Sequence, residues 1–167
     1  MKKNIFIENI NGNITSRPPV WFMRQAGRIL PSYLKLKQTY SFDEMMQNKE
    51  LAAKVTLLPL DDLGVDAGIL FSDILVIPKA LGLKLEFTAK GPKFHNALDE
   101  NINIENLKFN PQKLDYIYNN IREIKFQRPE TPLIGFCGGP LTTFLFMFRR
   151  NELNKDFNHV IKLFYKE

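Results

Sequence analysis

Two arginines four residues apart are the first candidates for chemistry in this sequence. Arg24 and Arg28 enclose the tripeptide Gln-Ala-Gly. In a helical turn both guanidinium groups would lie on one face, where each could bind a carboxylate through two hydrogen bonds. The pair would then suit a ligand that carries several carboxylates. Two solvated arginines in surface ion pairs would have the same spacing, and the spacing alone favours that second interpretation.

A carboxylate at the end of an apolar segment is the second candidate. Asp73 follows the segment Val65–Phe71, which is predicted to be a buried strand. Catalytic residues of α/β barrels sit at the C-terminal ends of strands, where a carboxylate could accept N–H donors or stabilise a developing cation. Ser72 and Asp73 are also common turn and cap residues. The sequence leaves both interpretations open.

The single cysteine and the two histidines carry weaker signals. Cys137 could be a nucleophile, but no histidine is near it in the sequence, so a small buried packing residue is expected. A lone cysteine excludes an intramolecular disulfide and indicates a reducing compartment. His95 and His159 lie far apart without metal-ligand spacing, and we expect both at the surface. Gly138 and Gly139 lack the pattern of a phosphate-binding loop.

The composition is that of an ordinary globular chain. Its 167 residues are 44% hydrophobic and 25% charged, which argues against disorder and predicts one domain. Lysine and arginine number 23 against 18 aspartates and glutamates, a net charge of +5 that fits an acidic ligand. The basic residues are scattered, so no nucleic-acid partner is expected. No apolar run approaches the roughly 18 residues of a membrane span, and no secretory signal is expected at the start. We therefore expect a cytoplasmic protein without membrane association.

A helix is expected before the predicted strand. Ser41 and Glu44 have the spacing of a capping box, and apolar residues continue at helical spacing as far as Leu63. Pro59 should kink or split this helix. The polar, asparagine-rich residues 1–16 are predicted to be an arm or loop.

The remaining elements alternate between strands and helices. Two short strands, Ile74–Ile77 and Leu83–Phe87, are expected first, and Gly91–Pro92 ends this region. A helix then starts at Asn110–Pro111, with an apolar stripe of Leu114, Ile117, Tyr118, Ile121 and Ile124. A buried strand, Leu133–Cys137, is followed by a last helix that carries Phe157, Val160, Ile161 and Phe164. Such alternation predicts a parallel α/β sheet or barrel. Because a (β/α)₈ barrel takes about 250 residues, the chain is expected to be the first part of a larger fold.

Several segments resemble the uroporphyrinogen decarboxylase family. The Met-Arg-Gln-Ala-Gly-Arg string and the Phe-Ser-Asp-Ile-Leu string carry most of the resemblance, and the first of them is highly specific. The matching segments, in order, are Pro19–Arg28, Leu30–Pro31, Phe71–Pro78, Ala80–Gly82, Gly91–Pro92 and Pro132–Phe136.

The resemblance implies a fold, a reaction and an organisation for the chain. The fold is a (β/α)₈ TIM barrel, with residues 1–167 as the N-terminal part of a single barrel domain and residues 1–16 as its arm. The reaction is removal of carbon dioxide from the four acetate groups of uroporphyrinogen III, which gives coproporphyrinogen III in haem biosynthesis. The family uses no cofactor or metal, and it tends to form homodimers, so a homodimer is expected here.

The resemblance also assigns the first signature to substrate binding. Arg24 and Arg28 would bind carboxylates of the substrate, and Arg24 is a candidate proton donor. Gln25, Ala26 and Gly27 would line the same wall of the site.

Two further residues acquire roles by resemblance. Asp73 would hold the pyrrole N–H groups and stabilise the positive charge of a protonated ring, which is the electron sink for loss of carbon dioxide. Phe146 stands where family members have a tyrosine, so it keeps the ring and lacks the hydroxyl group.

Family chains are about twice as long as this one. Without the later strands the barrel cannot close, and its open sheet would expose edges and apolar faces. The chain alone is therefore expected to be unstable or inactive. One alternative is an inactive fragment or split-gene product that binds a complementing half. A methyltransferase relative is a weaker alternative, which a downstream histidine and cysteine ligand set would support.

Overall fold

A computed structural model describes residues 4–23, 25, 27, 29–88, 91–98, 106–148 and 158–165. The described helices are α1 (Ile5–Ile10), α2 (Pro31–Thr39), α3 (Phe42–Gln47), α4 (Lys49–Leu63), α5 (Val76–Ala80), α6 (Asp115–Gln127), α7 (Pro140–Met147) and α8 (Asn158–Phe164). The described strands are β1 (Gly68–Ile69), β2 (Leu85–Thr88), β3 (Gly91–Phe94) and β4 (Leu133–Ile134). The chain forms two compact units. The first unit takes residues up to 72 and residues 115–136, and the second takes residues 73–114 and those from 137 onward.

The predicted capping box starts α3. The Ser41 hydroxyl accepts a hydrogen bond from the Glu44 N–H at 3.2 Å, and the Glu44 carboxylate accepts one from the Ser41 N–H at 2.7 Å. Two donors that a helix start leaves unpaired are thereby satisfied. The hydrogen bonds to Ser41 lower the pKa of Glu44. This prediction is confirmed.

The helix expected from Ser41 to Leu63 is divided at Asn48, and α4 is not split at Pro59, where a kink or a split was expected. Asn48 is extended, and its side chain accepts a hydrogen bond from the Leu51 N–H at 2.9 Å, so it caps α4. Pro59 lies buried inside α4. The cap decides the boundary because it satisfies a donor of the new helix. Gly64, at a φ of 65°, ends α4 in the left-handed conformation that glycine tolerates.

We expect Asn48→Ala to lower the free energy of unfolding by about 1 kcal/mol, because the Leu51 N–H loses its acceptor. Urea denaturation measures the change. Lys37→Ala, at an exposed position of α2, is the control and should stay within about 0.5 kcal/mol of the parent. An unchanged unfolding midpoint in Asn48→Ala would show that other contacts hold this boundary.

The core of the first unit joins α4, α6 and the strand region. Its buried members are Ala53, Leu57, Leu70 and Ile124, with Leu60, Ile117, Ile121 and Leu133 partly buried against them. The apolar stripe predicted on α6 thus supplies three of these residues. Of the other two predicted stripe residues, Tyr118 is 55% exposed, and Leu114 lies in the 3₁₀ turn before α6. Asn110 also acts as predicted, because its side chain accepts the Gln112 N–H where a 3₁₀ turn precedes α6.

A parallel pair of short strands confirms the mixed α/β class. Gly68 and Ile69 of β1 align with Leu133 and Ile134 of β4. The Leu70 N–H extends the ladder with a bond of 3.0 Å to the Ile134 carbonyl. Both strands are shorter than the apolar runs predicted them to be. The reason at β1 is a side chain of α4, because the Thr56 hydroxyl accepts the Phe71 N–H at 3.0 Å.

The second unit differs most from the prediction. Ile74–Ile77 is not a strand, because the chain turns at Ile74 and Leu75 and enters α5. The Asp73 side chain accepts the Leu75 N–H, a local hydrogen bond that competes with strand formation. Gly91–Pro92 does not end the region either. It begins β3, which pairs antiparallel with β2.

A second hydrophobic cluster stabilises this unit. It contains Leu75, Leu83, Phe94, Ala97, Leu98 and Met147. The Leu98 N–H donates to the Met147 carbonyl at 2.8 Å, which ties α7 to the segment after β3. The sequence predicted neither α7 nor α1, the short helix within residues 1–16. The last predicted helix is present as α8.

Candidate functional site

The segment that carries the first signature is anchored to the chain just before β1. Asp66 accepts two hydrogen bonds from the Arg17 guanidinium group, at 2.7 and 2.8 Å, and one from the Val20 N–H at 2.6 Å. The Asp66 N–H in turn donates to the Val20 carbonyl at 2.8 Å. The Arg17 hydrogen bond lowers the pKa of Asp66. These bonds fix where the segment starts.

Gln25 fixes the segment a second time. Its side chain is buried, accepts the Phe22 N–H at 3.1 Å and donates to the Ala67 carbonyl at 2.9 Å. Both ends of the amide are therefore engaged with backbone of this unit. The geometry gives the Gln25 side chain a positioning role in the turn that surrounds it. Gly27 begins a second turn, in which its carbonyl accepts the Leu30 N–H at 3.3 Å.

The arginines of the candidate site lie outside the described residues. Arg24, Ala26 and Arg28 all fall there. Gln25 and Gly27, which alternate with them, belong to the first unit. The anchors at Asp66 and Gln25 therefore hold described residues of the same segment, namely Val20, Phe22 and Gln25 itself.

Asp73 belongs to the second unit and comes four residues after β1 in the sequence. Its side chain is half-buried, and one carboxylate oxygen accepts the Leu75 N–H at 2.7 Å. Within the described part of the chain, Leu75 is the one donor to this carboxyl group. Burial raises the pKa of Asp73, and the Leu75 hydrogen bond acts in the opposite direction. This bond is the turn role that the sequence left as one alternative, and the catalytic role of Asp73 stays a prediction.

Phe146 also lies in the second unit, near the end of α7. It is partly buried and packs against the hydrophobic cluster that contains Leu75. A phenyl ring suits this apolar setting because it brings no hydroxyl group that would need a partner. Leu75 connects the two residues of this unit, since it donates to Asp73 and belongs to the cluster that Phe146 covers.

The other candidates have surface positions where they are described. Cys137 is exposed, so the prediction of a buried packing residue is wrong. The strand that was expected to bury it ends at Ile134. His95 is exposed as predicted and lies 2.7 Å from the Glu86 carboxylate. The His159 side chain lies outside the described residues. None of the described helices is long and apolar enough to cross a membrane.

Sequence reasoning missed the anchoring residues. Asp66 stands among apolar residues in the predicted strand Val65–Phe71, and a carboxylate in a buried strand needs a partner. That mismatch was a signal that Asp66 is paired. Thr56 gave no such signal, because a buried threonine on a helix is common.

Comparison with known proteins decides which family this arrangement belongs to. The family model described as uroporphyrinogen decarboxylase matches residues 1–167. The chain belongs to the uroporphyrinogen decarboxylase family. A relative from Legionella pneumophila (strain Lens), named uroporphyrinogen decarboxylase, is 40% identical over 172 residues, which cover 100% of this chain and 49% of the relative.

Other relatives with the same name give the same picture. One from Helicobacter pylori (strain HPAG1) is 43% identical over 98% of this chain and 49% of its own length. One from Hydrogenobaculum sp. (strain Y04AAS1) is 42% identical over 94% of this chain and 45% of its own length. The chain thus spans about half the length of the curated relatives it matches.

Proposed function

We propose that this chain supplies the N-terminal half of a uroporphyrinogen decarboxylase barrel and catalyses only together with the half that its relatives have in addition. The observation that carries the proposal is the family match over residues 1–167, which includes both signature strings. The parallel pair of β1 and β4 is compatible with two neighbouring strands of such a barrel. Among the described residues these strands pair only with each other, so both outer edges are open to further strands.

The substrate in this proposal is uroporphyrinogen III, whose carboxylates would bind to arginine. Arg24 and Arg28 would each hold a carboxylate through two hydrogen bonds. The anchors at Asp66 and Gln25 support this role, because a fixed backbone reduces the conformational freedom that binding must remove. Ala26 and Gly27 would complete the wall of the site with small residues.

Asp73 would supply the electrostatic part of the reaction. Loss of carbon dioxide breaks a carbon–carbon bond, and its electron pair moves into a pyrrole ring that a proton has made cationic. A second proton then completes the methyl group, and the ring gives up the first proton to restore the neutral pyrrole. A carboxylate that accepts the pyrrole N–H groups stabilises the cationic ring, and partial burial strengthens that interaction. Arg24 would deliver a proton, and Phe146 would provide an apolar wall.

The alternative is an inactive fragment that binds a complementing half without catalysis. The coverage of 49% of the relative favours it, because the other residues of the cleft lie in the part that this chain does not match. The absence of a hydroxyl group at Phe146 favours it as well. The two hypotheses differ in whether the assembled protein turns over substrate.

The decisive experiment adds the missing half. We define the complementing half as the part of the Legionella pneumophila relative that this chain does not match. Uroporphyrinogen III is incubated with this chain, with the complementing half, and with both after co-expression, and the products are separated by chromatography. We expect coproporphyrinogen III only from the co-expressed pair. No product from a folded pair would favour the inactive alternative, and product from this chain alone would contradict the need for a second half.

Arg28→Ala in the active pair should raise KM by about tenfold to a hundredfold. The reason is the loss of a charged hydrogen-bonded pair of roughly 1.5–3 kcal/mol. Steady-state kinetics measures KM and kcat separately. Lys37→Ala removes an exposed cation elsewhere and should leave both constants unchanged. An unchanged KM in Arg28→Ala would remove this residue from the carboxylate site.

A further inference from the structure

An open groove lies between α2 and α4 in the first unit. Its volume is about 710 Å³. The apolar part of its lining includes Ile29, Leu36, Leu58 and Leu63. Ile29 and Leu63 are strongly exposed, at 78% and 43%. The groove is therefore an apolar surface that no described part of the chain covers.

The groove lies beside the face of α4 that the first unit already uses. Ala53 and Leu57 of α4 are buried in the core with α6, whereas Leu58 and Leu63 line the groove. A helix that is apolar on more than one side is covered on more than one side in a completed fold. The second apolar side of α4 consequently needs an occupant.

Two lysines in the groove indicate the charge of the segment that binds there. Lys35 of α2 and Lys54 of α4 both line the groove and are exposed. Neither forms an ion pair with any residue in the described part of the chain. Asp62 also lines the groove, and its carboxylate accepts a hydrogen bond from the neutral Ser32 hydroxyl. Two lysines against one aspartate leave the groove with a net positive charge.

We infer that this groove docks an amphipathic helix with an apolar stripe and acidic flanks, contributed by the half of the family sequence that this chain does not match. An open apolar groove between two helices is the surface on which such a helix packs. Lys35 and Lys54 lie where its acidic flanks would be. The length of the relatives indicates where this helix comes from, because about half of the relative's sequence lies outside the matched part. The inference rests on the proposed need for a second half and names the surface that receives it.

Binding to the complementing half tests this inference independently of catalysis. The two polypeptides are co-expressed, purified by a tag on the complementing half, and analysed by mass and by hydrogen exchange. We expect a one-to-one complex in which exchange of α2 and α4 amides slows at least tenfold relative to this chain alone. Absence of a complex, or a complex that leaves α2 and α4 unprotected, would overturn the inference.

Matched variants locate the contact. Leu58→Asp should weaken the complex at least tenfold, whereas Phe126→Asp, on the exposed side of α6, should weaken it less than twofold. Lys35→Glu with Lys54→Glu should also weaken it at least tenfold, and Lys37→Glu with Lys84→Glu is the control of equal charge. If Leu58→Asp unfolds the chain, the comparison of the two lysine double variants still tests the contact. All four lysines are exposed, so their substitution should leave the fold intact. Equal affinities of the groove variants and their controls would overturn the inference.

Two other outcomes separate the competing explanations. If the groove variants dissociate a dimer of this chain alone, the occupant is a second copy and the inference is wrong. If the complex forms through the groove but does not decarboxylate uroporphyrinogen III, the inference stands and the proposed catalytic function fails.

Discussion

Asp73→Asn is expected to lower kcat for decarboxylation by the co-expressed pair by about a hundredfold to a thousandfold, which is the usual effect of removing a group that stabilises transition-state charge. The substitution removes the negative charge but keeps an oxygen that can accept the Leu75 N–H. The turn into α5 should therefore persist. Asp61→Asn, at an exposed position of α4, serves as the matched control and should leave kcat unchanged.

The pH dependence follows from the raised pKa of Asp73. Since the carboxylate must be ionised to stabilise the cationic ring, kcat should fall as the pH falls through this raised pKa, at a higher pH than for an exposed aspartate. The free energy of unfolding depends on pH in the opposite direction, since it decreases as the pH rises and Asp73 ionises. The folded state holds the proton more tightly than the unfolded chain, so ionised Asp73 destabilises the fold above its folded pKa.

Asp73→Asn removes that unfavourable charge. The variant should unfold at an equal or higher temperature than the parent at neutral pH, and the difference should shrink as the pH falls below the folded pKa. Thermal unfolding across this range measures it. Near-normal kcat in a folded Asp73→Asn pair would contradict the proposed role, and a marked loss of stability at neutral pH would show that Asp73 is mainly structural.

Local signals in the sequence predicted the local parts of the fold. The capping box of Ser41 and Glu44 and the cap of Asn110 involve residues two or three positions apart, so their spacing is visible in the chain itself. The stripe on α6 is equally local, because helical periodicity alone places Ile117, Ile121 and Ile124 on one side.

The failures occur where neighbours in space decide the structure. Ile74–Ile77 has the branched apolar composition of a strand, yet the Asp73 hydrogen bond to Leu75 turns it toward α5. The predicted strand length was wrong for a related reason, since the apolar run Val65–Phe71 is longer than the stretch that pairs with β4. A run of apolar residues reports burial, whereas strand length depends on a partner that the run does not specify.

The candidate site likewise has a part that local sequence predicts and a part that depends on residues distant in the chain. The signature strings predicted Asp73 and the segment around Gln25 as site candidates, because their residue types and order are specific, and these roles stay predictions. The anchoring of that segment was not predictable, since Arg17 and Asp66 are 49 positions apart and nothing local pairs them. The buried amide of Gln25 likewise depends on Ala67, 42 positions away.

That anchoring supports the second large expected effect, which is on stability. Asp66→Ala should lower the free energy of unfolding by about 2 kcal/mol, because hydrogen bonds to a charged group contribute roughly 1.5–3 kcal/mol. The expected loss lies toward the lower end of this range, because Arg17 is half-exposed and solvent screens its ion pair with Asp66. The Val20 N–H also loses its acceptor. Urea denaturation at neutral pH measures the loss, and Asp61→Ala is the control from an exposed ion pair.

The lowered pKa of Asp66 gives this effect a characteristic pH dependence. A carboxyl group whose pKa is lower in the folded state adds stability that is fully present above its unfolded pKa and is lost as the pH falls through its folded pKa. The difference between the parent and Asp66→Ala should therefore be largest near neutral pH and decline in acid. Arg17→Ala should lose part of the same stability, and the double variant should lose less than the sum of the two single changes. A constant difference at all pH values, or strict additivity, would show that packing of the Asp66 side chain rather than its charge holds Arg17 and Val20 in place.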